Sequence, residues 1–569
     1  MKSSSSIAPS ATILLFASFA FAACSAPATV ATTLPTPVTA PATPQPAATP
    51  PSSSTRVPAV KLEESPAYWQ LLDESADHIA GISAERGMRE LLAGKAPKKT
   101  VLVAIIDNGI DTSHADLRAN LWVNPKETAG NGKDDDNNGF VDDIHGWNFI
   151  GGRDGQDVSW DTFEVTRQYA ACHGYAAASA QPAITDATLC KQIDSDYEKQ
   201  KAEIQKNVET YRQIDGVMKQ IVPLLKKAAG GDSLTSDRVR AINAVSPDLA
   251  RARAIYLELA AQGASPSEIS EGLASLEGQL KYSLNPMYNP RTIVGDNYTD
   301  LSEHRYGNTD LMERGTVHGT HVAGIIGAVR GNGVGMDGIA PAVRLMMIRT
   351  VPDGDERDKD IANGIRYAVD NGAQIINMSF GKTYSPYKAA VDEAVKYADA
   401  HGVLIVHASG NDGLDLSKNK SFPTPNYTDG GRPQNWLEVG ASSWKGGDSL
   451  AASFSNYGRS LVDVFAPGVD ILSTAPANGY KRLSGTSMAA PVVSGLAALV
   501  LSYYPNLTAG ELKRIIMASV SRHADQMVLQ PGSDGQKVPF GSLSISGGIV
   551  NAYNALKMAD EVSAGKARP

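Results

Sequence analysis

The chain has 569 residues, of which 42% are hydrophobic and 20% are charged, with a formal net charge of -9. These values are ordinary for a soluble globular protein, and the length allows one large domain with additions. The moderate negative charge gives no support to nucleic-acid binding, which needs a basic face.

The N-terminus has the features of a secretory signal. Lys2 precedes an apolar stretch, 13–21, that is too short to span a bilayer, and two alanines then lead to Cys24. Residues 1–23 are therefore predicted to be a signal peptide. The pattern resembles a bacterial lipoprotein signal, in which Cys24 becomes lipid-modified. Phe21 stands where such signals usually carry Leu, so ordinary cleavage after an alanine is the alternative.

Residues 24–58 are crowded with Pro, Thr, Ala and Ser and nearly free of charge. Such a segment cannot bury enough apolar surface to fold, so we interpret it as a disordered tether. The membrane would be reached only through a lipid on Cys24, which places the protein at a bacterial cell envelope, in the periplasm or at the surface, or else free as a secreted protein. The two other cysteines, Cys172 and Cys190, form a disulfide or remain free thiols.

A short helix is expected over residues 84–94, and from Thr100 short apolar runs alternate with helical patterns. The runs have the composition of buried parallel strands, and strand–helix alternation predicts an α/β fold: a mostly parallel twisted sheet with helices on both faces. Helices are predicted over 360–371 and 386–400. The predicted strands are 101–107, 342–350, 373–380, 402–409, 436–442 and 461–467.

Residues 151–290 break this alternation and are predicted to form a helical insertion. Apolar residues recur at helical spacing from Ile204 to Ile221, and Pro223 is expected to interrupt that helix. The sequence from Ser265 to Glu268 has the form of a capping box, which marks the start of a further helix.

Four separate stretches carry the groups that acyl transfer by a serine requires. Asp107 ends a predicted buried strand, and His318 begins the stretch HGTHVAG. Asn411 follows Ala-Ser-Gly, and Ser487 lies in GTSMAAP at a loop-to-helix junction. Taken singly, Asp107 could be a turn residue, and His318 and His321 could be metal ligands.

Together these stretches resemble the subtilisin family, whose triad has the chain order Asp, His, Ser. The resemblance covers about residues 98–150 and 305–559. It implies a peptidase domain over 59–559 that contains the insertion, with 560–569 as a tail. It also implies a serine endopeptidase acting on proteins and peptides through an acyl-enzyme, with no cofactor for catalysis. The alternatives are an acyl transferase or peptide ligase with the same triad, and an inactive tethered binding scaffold.

The resemblance assigns a role to each group. Ser487 is the nucleophile, His318 the general base and acid, and Asp107 the residue that orients the imidazole. The amide of Asn411 and the backbone N–H of Ser487 would stabilise the oxyanion. The family usually has Ser or Thr after the aspartate, whereas this chain has Asn108, which leaves the orientation of Asp107 open.

The resemblance also implies the substrate-binding segments. Two walls would flank the side chain before the scissile bond, and residues 354–358 would form the other substrate-pairing edge. The acidic side chains of that edge are interpreted as a solvated loop, with tolerance for basic substrate side chains as the alternative. The walls are Ser379, Phe380 and Gly381, and Ala408, Ser409 and Gly410.

Two stretches are candidates for a structural calcium ion, which favours oxygen ligands. Asp116 and Asn332 match positions that bind calcium in the family, although the loop at Asn332 is one residue longer. Asp134 and Asp136 begin a second stretch like an EF-hand loop, with His145 where such a loop needs Glu; the alternative is an acidic turn.

The insertion enters after Asp107 and leaves before His318, so both of its ends are expected near the active site. We hypothesise that residues 160–285 shade the substrate cleft as a lid.

Overall fold

The computed structural model describes residues 57, 59, 62, 64–175, 181–261, 264–313 and 315–567. The predicted signal peptide, the lipid site at Cys24 and nearly all of the predicted tether lie outside the described residues. The described chain divides into two compact units, and one of them contains residues 202–278. The other unit contains the sheet and every predicted site residue.

A nine-stranded sheet forms the centre of the larger unit, and its strand order is β10-β13-β7-β6-β5-β4-β1-β3-β2. All of its pairs are parallel except β10 with β13. The six predicted strands are β1 and β3–β7, so the predicted fold class is confirmed. The strands are β1 Val101–Asp107, β2 Gly146–Asn148, β3 Val343–Arg349, β4 Ile375–Met378, β5 Leu404–Ala408, β6 Trp436–Ser442, β7 Val464–Pro467, β8 Ile471–Ala475, β9 Gly479–Leu483, β10 Ser521–Arg522, β11 Met527–Leu529, β12 Lys537–Pro539 and β13 Gly548–Ile549.

Helices cover both faces of the sheet. Alternate residues of β1 enter two different hydrophobic cores because side chains of a strand point to opposite faces. One core contains α9, α12 and α14, and the other contains α10 and α11. The helices are α1 Glu74–Asp77, α2 Ala84–Leu91, α3 Glu164–Cys172, α4 Ala187–Ala229, α5 Ser236–Arg240, α6 Pro247–Ala261, α7 Pro266–Gly278, α8 Arg291–Val294, α9 Val317–Gly327, α10 Asp358–Asp370, α11 Lys388–Ala400, α12 Thr486–Tyr503, α13 Ala509–Ala518 and α14 Ala552–Ser563.

The helix that begins next to the predicted nucleophile, α12, is the central helix of its core. Among the described residues it is the one helix long and apolar enough to cross a membrane by length and composition, yet 94% of it is buried inside the fold. The last helix, α14, runs to Ser563 and so passes the predicted domain end at residue 559.

Helices α3 to α7 lie within residues 151–290, whereas residues 151–163 form turns and isolated bridges. That these residues are an insertion into the family fold stays a prediction. The capping box is present, because Ser265 N donates to Glu268 Oε2 over 2.8 Å and Glu268 N donates to Ser265 Oγ over 3.3 Å. The prediction that Pro223 interrupts its helix is wrong, because α4 continues through Pro223. Its neighbours Ile221 and Leu225 are buried in the core of the smaller unit, and this packing outweighs the lost backbone hydrogen bond.

A disulfide joins Cys172 to Cys190, as the first of the two sequence alternatives predicted. It links the end of α3 to the first turn of α4. Closing a loop of this length stabilises a fold by about 3 kcal/mol in the chain-entropy model.

Candidate active site

Asp107 and His318 meet at the carboxyl end of β1. The Nδ1–H of His318 donates to Asp107 Oδ1 over 2.7 Å. A carboxylate accepts only, so this bond fixes the proton on Nδ1 and leaves Nε2 as the basic nitrogen. Asp107 is 1% exposed, and its Oδ1 also accepts from the backbone N–H of Asn108 over 2.7 Å. The pair is therefore held in one tautomer and one orientation.

Asn108, the departure from the family pattern, has a defined role. Its Oδ1 accepts from Gly319 N over 2.9 Å, and its Nδ2 donates to the carbonyl of Gly315 over 3.1 Å. The first N–H groups of a helix have no partner within the helix, so this amide satisfies one of them directly beside His318. Asn108 thus fixes the start of α9 relative to Asp107, which answers the question that the sequence left open.

The second histidine of the HGTHVAG stretch, His321, is structural. It is fully buried, and its Nε2 lies 2.9 Å from the carbonyl of Ile471 and 3.0 Å from that of Lys481. Burial lowers its pKa to about 3. The ring is therefore neutral and ties α9 to the β8–β9 hairpin.

The charge on Asp107 controls the base strength of His318. Burial lowers the pKa of His318, but the negative charge and the hydrogen bond of Asp107 raise it more, so its pKa lies above the usual value. Because only the neutral imidazole can accept a proton, kcat/KM should rise about tenfold per pH unit below this pKa and level off above it. A pH–rate profile measures this, and Asp107→Asn should move the acid limb to lower pH. A profile that is flat from acid to neutral pH would rule out His318 as the base.

Ser487 lies in the first turn of α12, and α12 packs against α9, which carries His318 in its own first turn. The Ser487 hydroxyl donates to the carbonyl of Ser379 over 3.1 Å. In return, the Ser379 hydroxyl donates to the Ser487 carbonyl over 3.0 Å. The first N–H groups of α12 have no partner within the helix, so the N-terminus of α12 carries a partial positive charge. A partial positive charge at this place suits a developing oxyanion.

Asn411 is oriented by Thr486, the residue before Ser487. Thr486 donates to Asn411 Oδ1 from its backbone N–H over 2.8 Å and from its hydroxyl over 3.0 Å. Because the amide oxygen is held by these donors, the NH2 group is the part of the side chain left to donate to an oxyanion. The contact puts Asn411 and Ser487 at the same helix entrance.

The two predicted walls follow neighbouring strands, β4 and β5. Ser379 and Ala408 are each 3% exposed and Ser409 is fully buried, whereas Phe380 and the glycines are partly exposed. Gly410 has φ +101°, and a Cβ there would lie 2.4 Å from Asn456 Nδ2, so only glycine fits. The walls therefore present partly exposed backbone close to the nucleophile.

A buried contact between His407 and Glu438, which the sequence analysis missed, supports these walls. His407 Nδ1 lies 3.0 Å from Glu438 Oε1, and His407 Nε2 lies 3.0 Å from the carbonyl of Phe380. His407 precedes Ala408 directly, so one ring connects both walls to β6. The sequence does contain a signal for this contact, because an ionisable residue stands in each of two otherwise apolar strands and the two residues face each other.

The prediction that residues 354–358 form a solvated loop is wrong. Glu356 and Asp358 are each 2% exposed. Lys382 forms an ion pair with Asp358 over 2.8 Å, so this carboxylate is already neutralised within the protein. Burial raises the pKa of Asp355 to about 6 and that of Glu356 to about 8. These groups therefore serve the fold, which argues against the alternative of a surface for basic substrate side chains.

The structure brings Asp116 and Asn332 together, but as hydrogen-bond partners. The Asp116 carboxylate accepts from Asn332 Nδ2 over 2.7 Å, from Met336 N over 3.0 Å and from the Tyr480 hydroxyl over 3.2 Å. A calcium ion would have to displace these donors. The residues as arranged do not fit the ion that the resemblance implied.

The acidic stretch does gather carboxylates. One oxygen each of Glu127, Asp134 and Asp136 lies within 4.8 Å of the others. Glu127 comes from upstream and was missed by the EF-hand comparison, whereas His145, at the expected Glu position, contacts the carbonyl of Trp122. Several of these oxygens also accept N–H groups of their own loop, as an acidic turn would.

Comparisons with known proteins identify the family of this chain. The family model described as the subtilase family matches residues 98–535. A thermophilic serine proteinase of Bacillus sp. (strain AK1) is 39% identical over 242 residues, which are 42% of this chain and 53% of that protein. Subtilisin DY of Bacillus licheniformis is 38% identical over 226 residues, 40% of this chain and 76% of that protein.

Thermitase of Thermoactinomyces vulgaris is 35% identical over 273 residues, which are 47% of this chain and 86% of that protein. The matched part thus spans about half the length of the first relative and most of the thermitase. The sheet is mostly parallel and has an aspartate–histidine pair at the carboxyl end of β1. Together with the family match over residues 98–535, this shows that the chain belongs to the subtilase family of serine proteases.

Proposed function

We propose that this protein is an exported serine endopeptidase that hydrolyses peptide bonds of proteins through Asp107, His318 and Ser487. The observation that carries the proposal is the 2.7 Å bond between His318 Nδ1 and Asp107, which leaves Nε2 available as a base. The helix packing that puts Ser487 at a neighbouring helix entrance supports it further.

The proposed reaction has two halves. Ser487 Oγ attacks the scissile carbonyl carbon while His318 Nε2 takes the hydroxyl proton, and Asp107 stabilises the imidazolium. The oxyanion accepts hydrogen bonds from the Asn411 amide and the Ser487 N–H. The C–N bond then breaks as His318 returns the proton to the leaving amine. Water repeats the sequence on the acyl-enzyme, releases the acid and regenerates Ser487.

Incubating the purified protein with an unfolded protein substrate, and locating the new termini by mass spectrometry, tests this function. New internal termini, absent with Ser487→Ala, are expected. A peptide ligase would instead join added amines to the acyl group, and an inactive scaffold would give no new termini.

Structural calcium is not needed for any of these steps. If the chain binds this ion, the cluster of Glu127, Asp134 and Asp136 offers the oxygen ligands that calcium favours. Calcium binding remains a prediction, as does the lid role of residues 160–285.

Export is the second part of the proposal, with a lipid anchor at Cys24. The disulfide between Cys172 and Cys190 supports it, because such bonds persist in oxidising compartments outside the cytosol. In a bacterial host, Cys24→Ala should move most of the protein from the membrane fraction to the soluble fraction without changing kcat. Unchanged membrane recovery of this variant would exclude the anchor.

A further inference from the structure

The two substrate-pairing segments run side by side from the ends of neighbouring parts of the sheet. Residues 379–381 follow β4, residues 354–358 follow β3, and β1 lies between these strands. The carbonyl of Ser379 lies 3.1 Å from Ser487 Oγ, so it marks the scissile-bond end. An extended peptide advances about 3.3 Å per residue, which sets its third residue from the scissile bond opposite Gly381.

Lys382 comes next and bridges the two segments. Its side chain is 2% exposed. Its Nζ lies 2.8 Å from Asp358 Oδ1 and 2.8 Å from the Glu356 carbonyl, both on the opposite segment, and 3.0 Å from Glu164 Oε2. These three contacts use all three donors of the ammonium group. Breaking a buried ion pair has a large free-energy cost, so we do not expect a bound substrate to separate Lys382 from Asp358.

The start of the helical segment, residues 159–172 with α3, also contacts the residues of this bridge. Arg167 on α3 has no exposed side-chain surface, and it donates to the carbonyl of Asp355 over 3.2 Å and to that of Glu356 over 3.1 Å. Arg167 also pairs with Glu164 over 2.6 Å. The carbonyls that an extended substrate would need on this segment are therefore taken by the protein itself.

Backbone pairing also occupies Asp353, the residue directly before this segment. Asp353 N donates to the carbonyl of Ser159 over 2.8 Å, and Asp161 N donates to the carbonyl of Asp353 over 3.1 Å. A Cβ on Gly354 would lie 2.1 Å from the Asp161 carbonyl. Residues 159–161 thus pair with the backbone directly before the segment and lie close against its first residue, Gly354.

Lys382 and Asp358 line a small cavity of about 10 Å³, together with Glu356, Ile361, Ser385, Val391 and Pro423. That volume admits about one water molecule and no side chain. One carboxylate oxygen of Glu356 points to no hydrogen-bond partner among the described residues, which is consistent with a water there.

We propose that the cleft of this peptidase ends three residues before the scissile bond. Lys382 and Asp358 form its end wall, and the start of the helical segment replaces the substrate on the second edge. Recognition then rests on the three residues before the scissile bond, and a longer chain must turn away from the cleft. This inference rests on the proposed function for the identity of the cleft.

A length series of acetylated peptides tests the inference. Chromogenic substrates with one to five residues before the scissile bond share the same residues at common positions. We expect kcat/KM to rise up to the third residue and to change less than about twofold with the fourth and fifth. An increase of about fivefold or more from the fourth residue would overturn the end wall.

Binding separates this result from a failure of the proposed function. Fluorescent peptides of the same lengths, with Ser487→Ala as the receptor, should show a Kd that stops improving at the third residue. If no peptide is hydrolysed but binding stops at three, the cleft geometry stands and the peptidase assignment fails. If Kd improves about fivefold with the fourth residue, the end wall fails whatever the activity.

The double variant Lys382→Ala with Asp358→Ala removes both charges of the bridge and shortens both side chains, which opens space at the proposed end wall. In this variant the fourth residue should improve kcat/KM at least about fivefold. Lys388→Ala is the matched control, because it removes an ion pair with Asp392 on α11 and should keep the plateau at three. A plateau in the double variant at unchanged Tm would show that Lys382 does not form the wall.

Discussion

Replacing Ser487 with alanine is expected to lower kcat by about 10⁶, the magnitude known for the equivalent change in subtilisin. The reason is that the covalent route disappears with the Ser487 Oγ nucleophile. The fold should persist, because among the described residues the Ser487 hydroxyl donates only to the Ser379 carbonyl. The position of α12 depends instead on its buried apolar surface. Steady-state kinetics on a chromogenic peptide measures the loss.

Ser417→Ala is the matched control, since Ser417 is exposed and its hydroxyl bonds only to the nearby Asp415 among described partners. It should have the parental kcat, and both variants should have the parental Tm within a few degrees. A Ser487→Ala variant that retains the parental kcat would remove the nucleophile from this account.

Replacing Asp107 with asparagine is expected to lower kcat by about 10⁴, as in the serine-protease case from which this magnitude comes. The amide can present an N–H group to His318 Nδ1, which favours the proton on Nε2 and abolishes the base. The side chain is 1% exposed, and this burial keeps it in place. Turning the amide toward His318 gives up the bond from Asn108 N, so the loss should appear in kcat with a Tm within a few degrees of the parental value.

The matched measurement is Asp111→Asn, a second buried aspartate whose carboxylate accepts from Ser113 and Ala477 instead of from a catalytic group. Asp111→Asn should lower the Tm while leaving kcat close to the parental value. If Asp107→Asn lowered kcat less than about tenfold, the Asp107–His318 bond would be structural and the orienting role would be wrong.

The central sheet could be predicted from local pattern alone, because fully buried parallel strands are short apolar runs bounded by turn residues. The proposed triad residues were assigned through the family resemblance instead, because each motif taken singly had another interpretation. What could not be predicted were the partners of charged side chains. Lys382 and Asp358 are 24 positions apart in the sequence, and no local pattern tells that they meet inside the protein.

The errors have the same physical origin. The acidic residues 354–358 were predicted to be solvated because charge usually stays in water. In the structure Lys382 pairs with Asp358, and burial raises the pKa of Asp355 and Glu356, which disfavours their charged forms. Pro223 read as a helix break because the cost of a lost hydrogen bond is local, whereas the packing of α4 that offsets it is tertiary. Tertiary contacts decided each case.

Labelling with a serine-directed fluorophosphonate tests the central claim most directly. The reagent bonds covalently to a serine whose hydroxyl is activated by a neighbouring base, so it reports the assembled nucleophile without any choice of substrate. After proteolysis and mass spectrometry, the adduct should map to Ser487, its formation should follow the same rise with pH as kcat/KM, and Asp107→Asn should slow it. A folded protein that forms no adduct, or an adduct on another serine, would contradict the account.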